Sequence, residues 1–137
     1  MRAAVTAIGV WGDASHAKFL LRLLPDAKPT ERTIIFESLG KIGDGETSDE
    51  LLDYLKDEEN GFQAVAGFRE LSKDTEEELE KWLEDDDVYQ RAKAVAVLGK
   101  AGGRTAGARL KKFLKKESDT IAFTQAIEAL AKWQVRQ

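Results

Sequence analysis

Few side chains in this 137-residue chain have the type and spacing to carry chemistry. The single histidine, His16, has no second histidine and no cysteine to join, so an imidazole-activated nucleophile or a His/Cys metal site has nothing to be built from. A surface or helix-capping role is the expectation for His16. Carboxylates are abundant, but they stand in runs such as Glu76-Glu77-Glu78 and Glu84-Asp85-Asp86-Asp87. Solvated runs offer nothing apolar to raise a pKa toward acid–base work. The stretch GKAGGRT at residues 99–105 resembles a phosphate loop in composition alone. Such a loop needs a preceding strand and a lysine in fixed register with Ser or Thr, whereas this run follows a helical pattern. It reads as a turn, in which Arg104 beside a helix N-terminus could at most hold a stray anion.

The expectation is therefore a non-enzyme with no catalytic residue, no cofactor and no metal. With no cysteine there is no disulfide framework, which is compatible with a reducing, cytoplasmic setting. No run of about 18 apolar residues exists, so no membrane span is expected. The opening MRAAVTAIGVWGDAS imitates a signal peptide, but its register matches that of the helical segments downstream and it is read as a first helix.

Charge is unevenly spread behind a formal net charge of −4. Residues 43–87 hold 18 acids and 4 bases, and residues 88–116 hold 9 bases and no acid. Solvated faces, partly compensated between neighbouring segments, account for this most simply. The functional alternative is a bipolar surface that orients a partner, since such fields steer association more than they set affinity.

The elements that would position these charges repeat. Ile8, Leu39, Phe68, Leu98 and Leu130 recur at spacings of 29 to 32 residues, a period that signals a stacked array. Four before each anchor stand Ala4, Ile35, Ala64, Ala94 and Ala126; three before, Val5, Phe36, Val65, Val95 and Ile127; three after, Trp11, Ile42, Leu71, Ala101 and Trp133. These offsets trace one face of an α-helix. A second series, Leu20, Leu51, Leu79 and Leu110, marks a second helix in each unit. Between them, VWGDAS, KIGDGETS, LSKDT and KAGGRT read as helix stops and starts: glycine in the left-handed conformation, then a Ser or Thr cap. Thr47 with Glu50 and Thr75 with Glu78 have capping-box spacing. Helices are expected at 2–11, 15–25, 30–42, 47–57, 60–73, 75–84, 87–101, 104–117 and 119–135, with no sheet. One domain spanning 1–137 is expected, held by its row of anchors.

The strings RTIIFESLGKIGDGETSDELLDYLKD and RAKAVAVLGKAGGRTAGARLKKFLKK resemble the short HEAT-like repeats first named from phycobilisome lyase subunits. Arg32 and Arg91, seven residues before their anchors, match that family's arginine, and Asp13 and Asp44 match its turn aspartate. The third unit departs with Arg69-Glu70 in place of the motif glycine, the fourth with Gly103 in place of the aspartate, and the fifth is a first helix only. The resemblance implies a right-handed α-solenoid of about four and a half helical hairpins. It implies a scaffold or adaptor binding another protein, or else a lyase-like subunit of a bilin-attachment enzyme. The His-Glu ligand pairs of related HEAT-like iron hydroxylases are absent.

In such solenoids the second helices line the concave side. Lys18, Asp49 and Glu77, and Arg22, Asp53, Lys81 and Lys112, occupy two second-helix positions that change charge sign from unit to unit while their neighbours keep their chemistry. They are the expected partner contacts. Nucleic acid is disfavoured, because the acidic block would repel a duplex and no aromatic interleaves the Lys111–Lys116 cluster except Phe113, which belongs to the core series. Neither end carries a polar capping unit, so Met1, Val5, Ile8, Trp11 and the outer side of the helix bearing Trp133 need cover, and the expectation is either a piece of a longer array or shielding by self-association.

Overall fold

The structure, a computed structural model, describes residues 2–137, and of Arg2 the backbone alone. Met1 lies outside the described residues. Among these residues all regular structure is helical and there is no strand. The chain divides into two compact units, Met1–Ser72 and Lys73–Gln137.

The first unit holds α1 (Arg2–Trp11), α2 (Ala17–Leu23) behind a 3-10 turn at Ala14–His16, α3 (Pro29–Ile42), α4 (Gly45–Leu55) and a short α5 (Gly61–Ala64) that runs into a 3-10 turn at Val65–Gly67. The second unit holds α6 (Lys73–Trp82), α7 (Val88–Ala101), α8 (Ala106–Lys116) and α9 (Thr120–Arg136). The expected helix at 60–73 is cut to four α-helical residues. Two glycines within seven residues weaken it, each costing about 1 kcal/mol against alanine. At Phe68 the backbone turns extended (φ −85°, ψ 126°), which leaves the ring fully buried.

Starts and stops are set by local chemistry. The carboxylate of Asp13 accepts from the Ser15 N–H (3.0 Å), that of Asp87 from Tyr89 (2.9 Å), and that of Asp119 from Ile121 (2.8 Å). Asp44 Oδ1 accepts from the Thr47 N–H at 3.0 Å, so Asp44 is the cap and Thr47 the third helical residue. Thr75 lies inside α6 and is buried. The capping box expected at Thr47 is thereby displaced onto Asp44, whose charge serves the positive end of the helix better than a hydroxyl, and the one expected at Thr75 falls inside α6. The Asp44 carboxyl is held below its ordinary 3.8, chiefly by the Thr47 N–H.

The helix-ending glycines also differ from expectation. Gly43 and Gly102 have φ −67° and −68°, in extended backbone, and no described residue has positive φ. What requires glycine is space: the N–H of Gly102 donates to Leu98 O at 2.8 Å, and a Cβ there would lie 2.4 Å from that oxygen and 2.6 Å from the Ala106 Cβ.

Packing follows the anchors. Leu39, Phe68 and Leu98 are fully buried, while Ile8 and Leu130 are half-buried. The expected continuous buried row therefore loosens at α1 and α9. Helix α7 is covered by α6, α8 and α9, whereas α9 leans on α7 and α8. Ile127 is accordingly 48% exposed where its counterpart Val95 is 0%. Val5 finds its cover within the first unit, but Ala4 and Trp11 are exposed, contrary to their place in the series. Trp133 is half-buried and donates to Gly103 O at 2.9 Å. Arg136 donates to the carbonyls of Gly99 (2.9 Å) and Gly102 (3.0 Å), satisfying acceptors at the open end of α7.

Adjacent glycines provide a paired test. Gly102→Ala should cost about 1–3 kcal/mol by overpacking. Gly103→Ala, whose Cβ would meet nothing within 4 Å, should be neutral or stabilise by up to about 1 kcal/mol. Urea unfolding of the two variants measures the difference, and equal effects would contradict the steric account of this turn.

Candidate functional site

Second helices lie side by side in each unit, and a groove opens between them. In the first unit Lys18, Leu21 and Arg22 of α2 face Glu50 of α4 across a space of about 350 Å³. Its polarity is basic on α2 and acidic on α4. A narrower recess beside it reaches Asp44 and Thr47 at the start of α4.

In the second unit the groove, of about 270 Å³, has the opposite polarity. Glu80 comes from α6, Leu83 and Glu84 from the turn that follows it, and Arg109, Lys112, Phe113 and Lys116 from α8. Arg109 Nη1 donates to Glu76 Oε1 at 2.7 Å and its second terminal nitrogen pairs with Glu80. Glu76 and Glu78 of the acidic run are thus engaged rather than merely solvated, since Glu78 also accepts from Trp82 Nε1 (3.4 Å). Compensation between neighbouring helices, the simplest expectation for the charge pattern, is present here.

Arg91 holds the far end of the same groove. It donates to the carbonyls of Asp85 (2.9 Å) and Asp86 (3.1 Å), just past α6, and to both oxygens of Glu117 (2.7 and 3.0 Å), just past α8. One guanidinium thereby fastens the ends of both walls. Arg32, at the matching register of the first unit, likewise donates to the carbonyls of Leu24 (3.2 Å) and Pro25 (3.4 Å) beyond α2. The arginine that carried the family resemblance is therefore a structural clamp.

His16 has a structural role as well: its Nδ1 accepts the Asp13 N–H at 3.1 Å. Among the described residues no group of three or more His, Asp or Glu is placed to hold a metal ion.

Of the residues singled out from sequence, Lys18 and Arg22 share the first groove and Lys112 lines the second. The others are not brought together. Asp49 accepts a hydrogen bond from the Ser72 hydroxyl, Lys81 Nζ sits 3.8 Å from Glu78, and Asp53 and Glu77 are exposed outside both grooves. Sequence reasoning missed Glu50, Glu80, Glu84, Arg109 and Lys116. A signal was present in Lys112-x-x-x-Lys116: like charges four apart on a helix are destabilising, so folding alone does not favour them.

The family profile for HEAT repeats matches residues 1–68, about half of the chain. Together with the all-helical hairpin architecture, this makes the chain a HEAT-like repeat protein. HEAT repeats generally mediate protein–protein interaction. The match is to HEAT repeats at large and does not extend to the phycobilisome lyase type. A comparison with curated proteins returns no match. Among the described residues no helix is long and apolar enough to cross a membrane.

The Arg91–Glu117 pair sets a pH dependence. Its side chains are 19% and 5% exposed, and hydrogen bonds from Arg91 hold the Glu117 carboxyl below its ordinary 4.5. A depressed carboxyl pKa contributes stability above the unfolded value, lost as pH falls through the folded one. Glu117→Gln should cost about 2–3 kcal/mol at neutral pH and flatten the decline in stability below about pH 4.5. Urea midpoints of both proteins across an acid series check this; parallel curves would contradict it.

Proposed function

We propose that this protein is an adaptor that recognises another protein through the exposed faces of its second helices and has no catalysis of its own. One observation carries the reading: each unit has a groove between two second helices, with apolar side chains in its lining and unlike charges on its walls. Unlike charges select the orientation of an incoming chain, and the apolar lining contributes affinity once water is displaced. The alternation of polarity, basic then acidic in α2 and α4, acidic then basic in α6 and α8, gives each groove its own preference. HEAT repeats' general use in protein–protein interaction supports the same class. Proposed with it are the expected single array of about four and a half hairpins, its right-handed stacking and a cytoplasmic setting.

Lys18 and Arg22 make no ion pair with a described residue, and Lys112 makes none either, so their charges are available. A photo-crosslinking amino acid at Arg22 or at Lys112 should trap a specific protein in the native host. The same group at Glu37, exposed on α3, should not. Lys18→Glu with Arg22→Glu should change the association rate and its salt dependence by several-fold while altering stability by less than about 1 kcal/mol. Equal trapping from Glu37 would move the binding surface off the second helices.

A further inference from the structure

First helices meet by one register, and α1 and α9 each leave half of it open. The residue after one anchor packs on the residue before the next: Gly9 of α1 on Ser38 of α3, and Gly99 of α7 on Ala129 of α9. All four are buried. On α1 the row before the anchor is open, with Ala4 and Ala7 exposed where their counterparts Ala126 and Ala129 are buried. On α9 the row after the anchor is open, with Ala131 exposed where Gly9 and Gly99 are buried. We propose that a second copy of this chain completes the register, its α1 packing on the outer face of α9 with Ala7 against Ala131. The contact lies on first helices and is independent of the second-helix reading above.

Exposed apolar surface is concentrated on these two helices. Of nine exposed large apolar side chains among the described residues, six stand on α1 and α9: Val10, Trp11, Ile121, Phe123, Ile127 and Val135. Trp11 and Val135, at 86% each, are the most exposed of them. Each lies one turn beyond the small residue of its own row, Trp11 after Ala7 and Val135 after Ala131, and so shares that residue's face. With Ala7 seated on Ala131, the two meet. The α7–α9 contact already makes this step: Trp133, three past its anchor like Trp11, donates to the carbonyl of Gly103, five past its anchor like Val135. Covering both side chains removes the largest apolar exposure of each helix from water, which favours association.

The two open rows complement each other and do not match themselves. On α9 the row before the anchor is occupied by α7, and on α1 the row after the anchor is occupied by α3. Neither helix can therefore pair with its own copy in this register, since each offers only one half. The pairing is heterologous and has no stop at two. Charge does not oppose it, because residues 3–11 of α1 hold no charged side chain. A helix of 10 residues is about 15 Å long, so the contact is smaller than the roughly 800 Å² per partner of a standard interface and belongs to the weak class.

Sedimentation of the whole chain from about 1 μM to about 1 mM spans the range of weak association. The average mass should rise from 15.2 kDa with concentration. Ala7→Glu and Ala131→Glu, at exposed helical positions, should each hold the protein at that mass throughout, with circular dichroism confirming an intact fold. Mixed in equal amounts, the two variants should form a pair of twice that mass and nothing larger, because the first keeps its α9 face and the second its α1 face. Trp11→Ala should weaken association of the otherwise unchanged chain several-fold. A monomer mass at every concentration for the unaltered chain would overturn the proposal. So would a mixture that stays monomeric, or loss of association in Ala131→Glu but not in Ala7→Glu, which would mean that α9 pairs with α9.

Discussion

The constraint on which the rest depends is that first helices approach each other to backbone contact, with no room for a side chain between. A Cβ on Gly99 of α7 would fall 2.5 Å from the Cα of Ala129 in α9. In the first unit a Cβ on Gly9 of α1 would fall 2.8 Å from the Ser38 hydroxyl in α3. Both contacts use one register: the residue after one anchor meets the residue before the next. At such range the pairing of helices is set by which positions are small rather than by general apolarity. Ser38 adds direction, its hydroxyl donating to Val5 O at 3.0 Å inside the core.

From that approach the remaining features derive in order. With the first helices in contact, each second helix must return through a turn too tight for a Cβ, which is why Gly43 and Gly102 fold back onto Leu39 O and Leu98 O. The second helices then lie outward, beside one another, and open a groove in each unit. In the second unit arginines rather than apolar bulk set the groove's width. Replacing Arg91 or Arg109 by lysine would lose the fork that reaches two acceptors at once.

Much of this was legible in the sequence, for physical reasons that also explain the failures. Helices α1, α3, α7 and α9 begin and end within a residue or so of their expected bounds, because their periodicity is strong and aspartate or glycine punctuates them locally. The segment at 60–73 misled because the repeat placed Phe68 correctly in the core but not by a helix; its neighbours Leu51 and Phe36, against which Gly67 closes, are distant in sequence. The cap of α4 was misassigned by one turn, since a threonine three residues after an aspartate satisfies the same spacing rule with the roles exchanged. The site was legible in kind and blurred in register. Lys18, Arg22 and Lys112 face grooves, but Glu50 and Arg109 sit one residue before the second-helix leucine, a position whose exposure depends on the adjacent helix rather than on its own. Periodicity reports the face a helix buries against its core and carries little about its lateral neighbours.

The most direct measurement of the central constraint is the stability of Gly99→Ala, a change of one methyl group at the α7–α9 contact. A helix-interior alanine is intrinsically favoured over glycine by about 1 kcal/mol, so propensity alone would raise stability. The steric account requires the opposite sign, because the methyl has only the Ala129 backbone to enter. Urea unfolding should show a net loss of about 1–3 kcal/mol. A midpoint unchanged or raised would mean that the helices are not held at backbone contact, and the turn and groove geometry derived from that contact would lose its foundation.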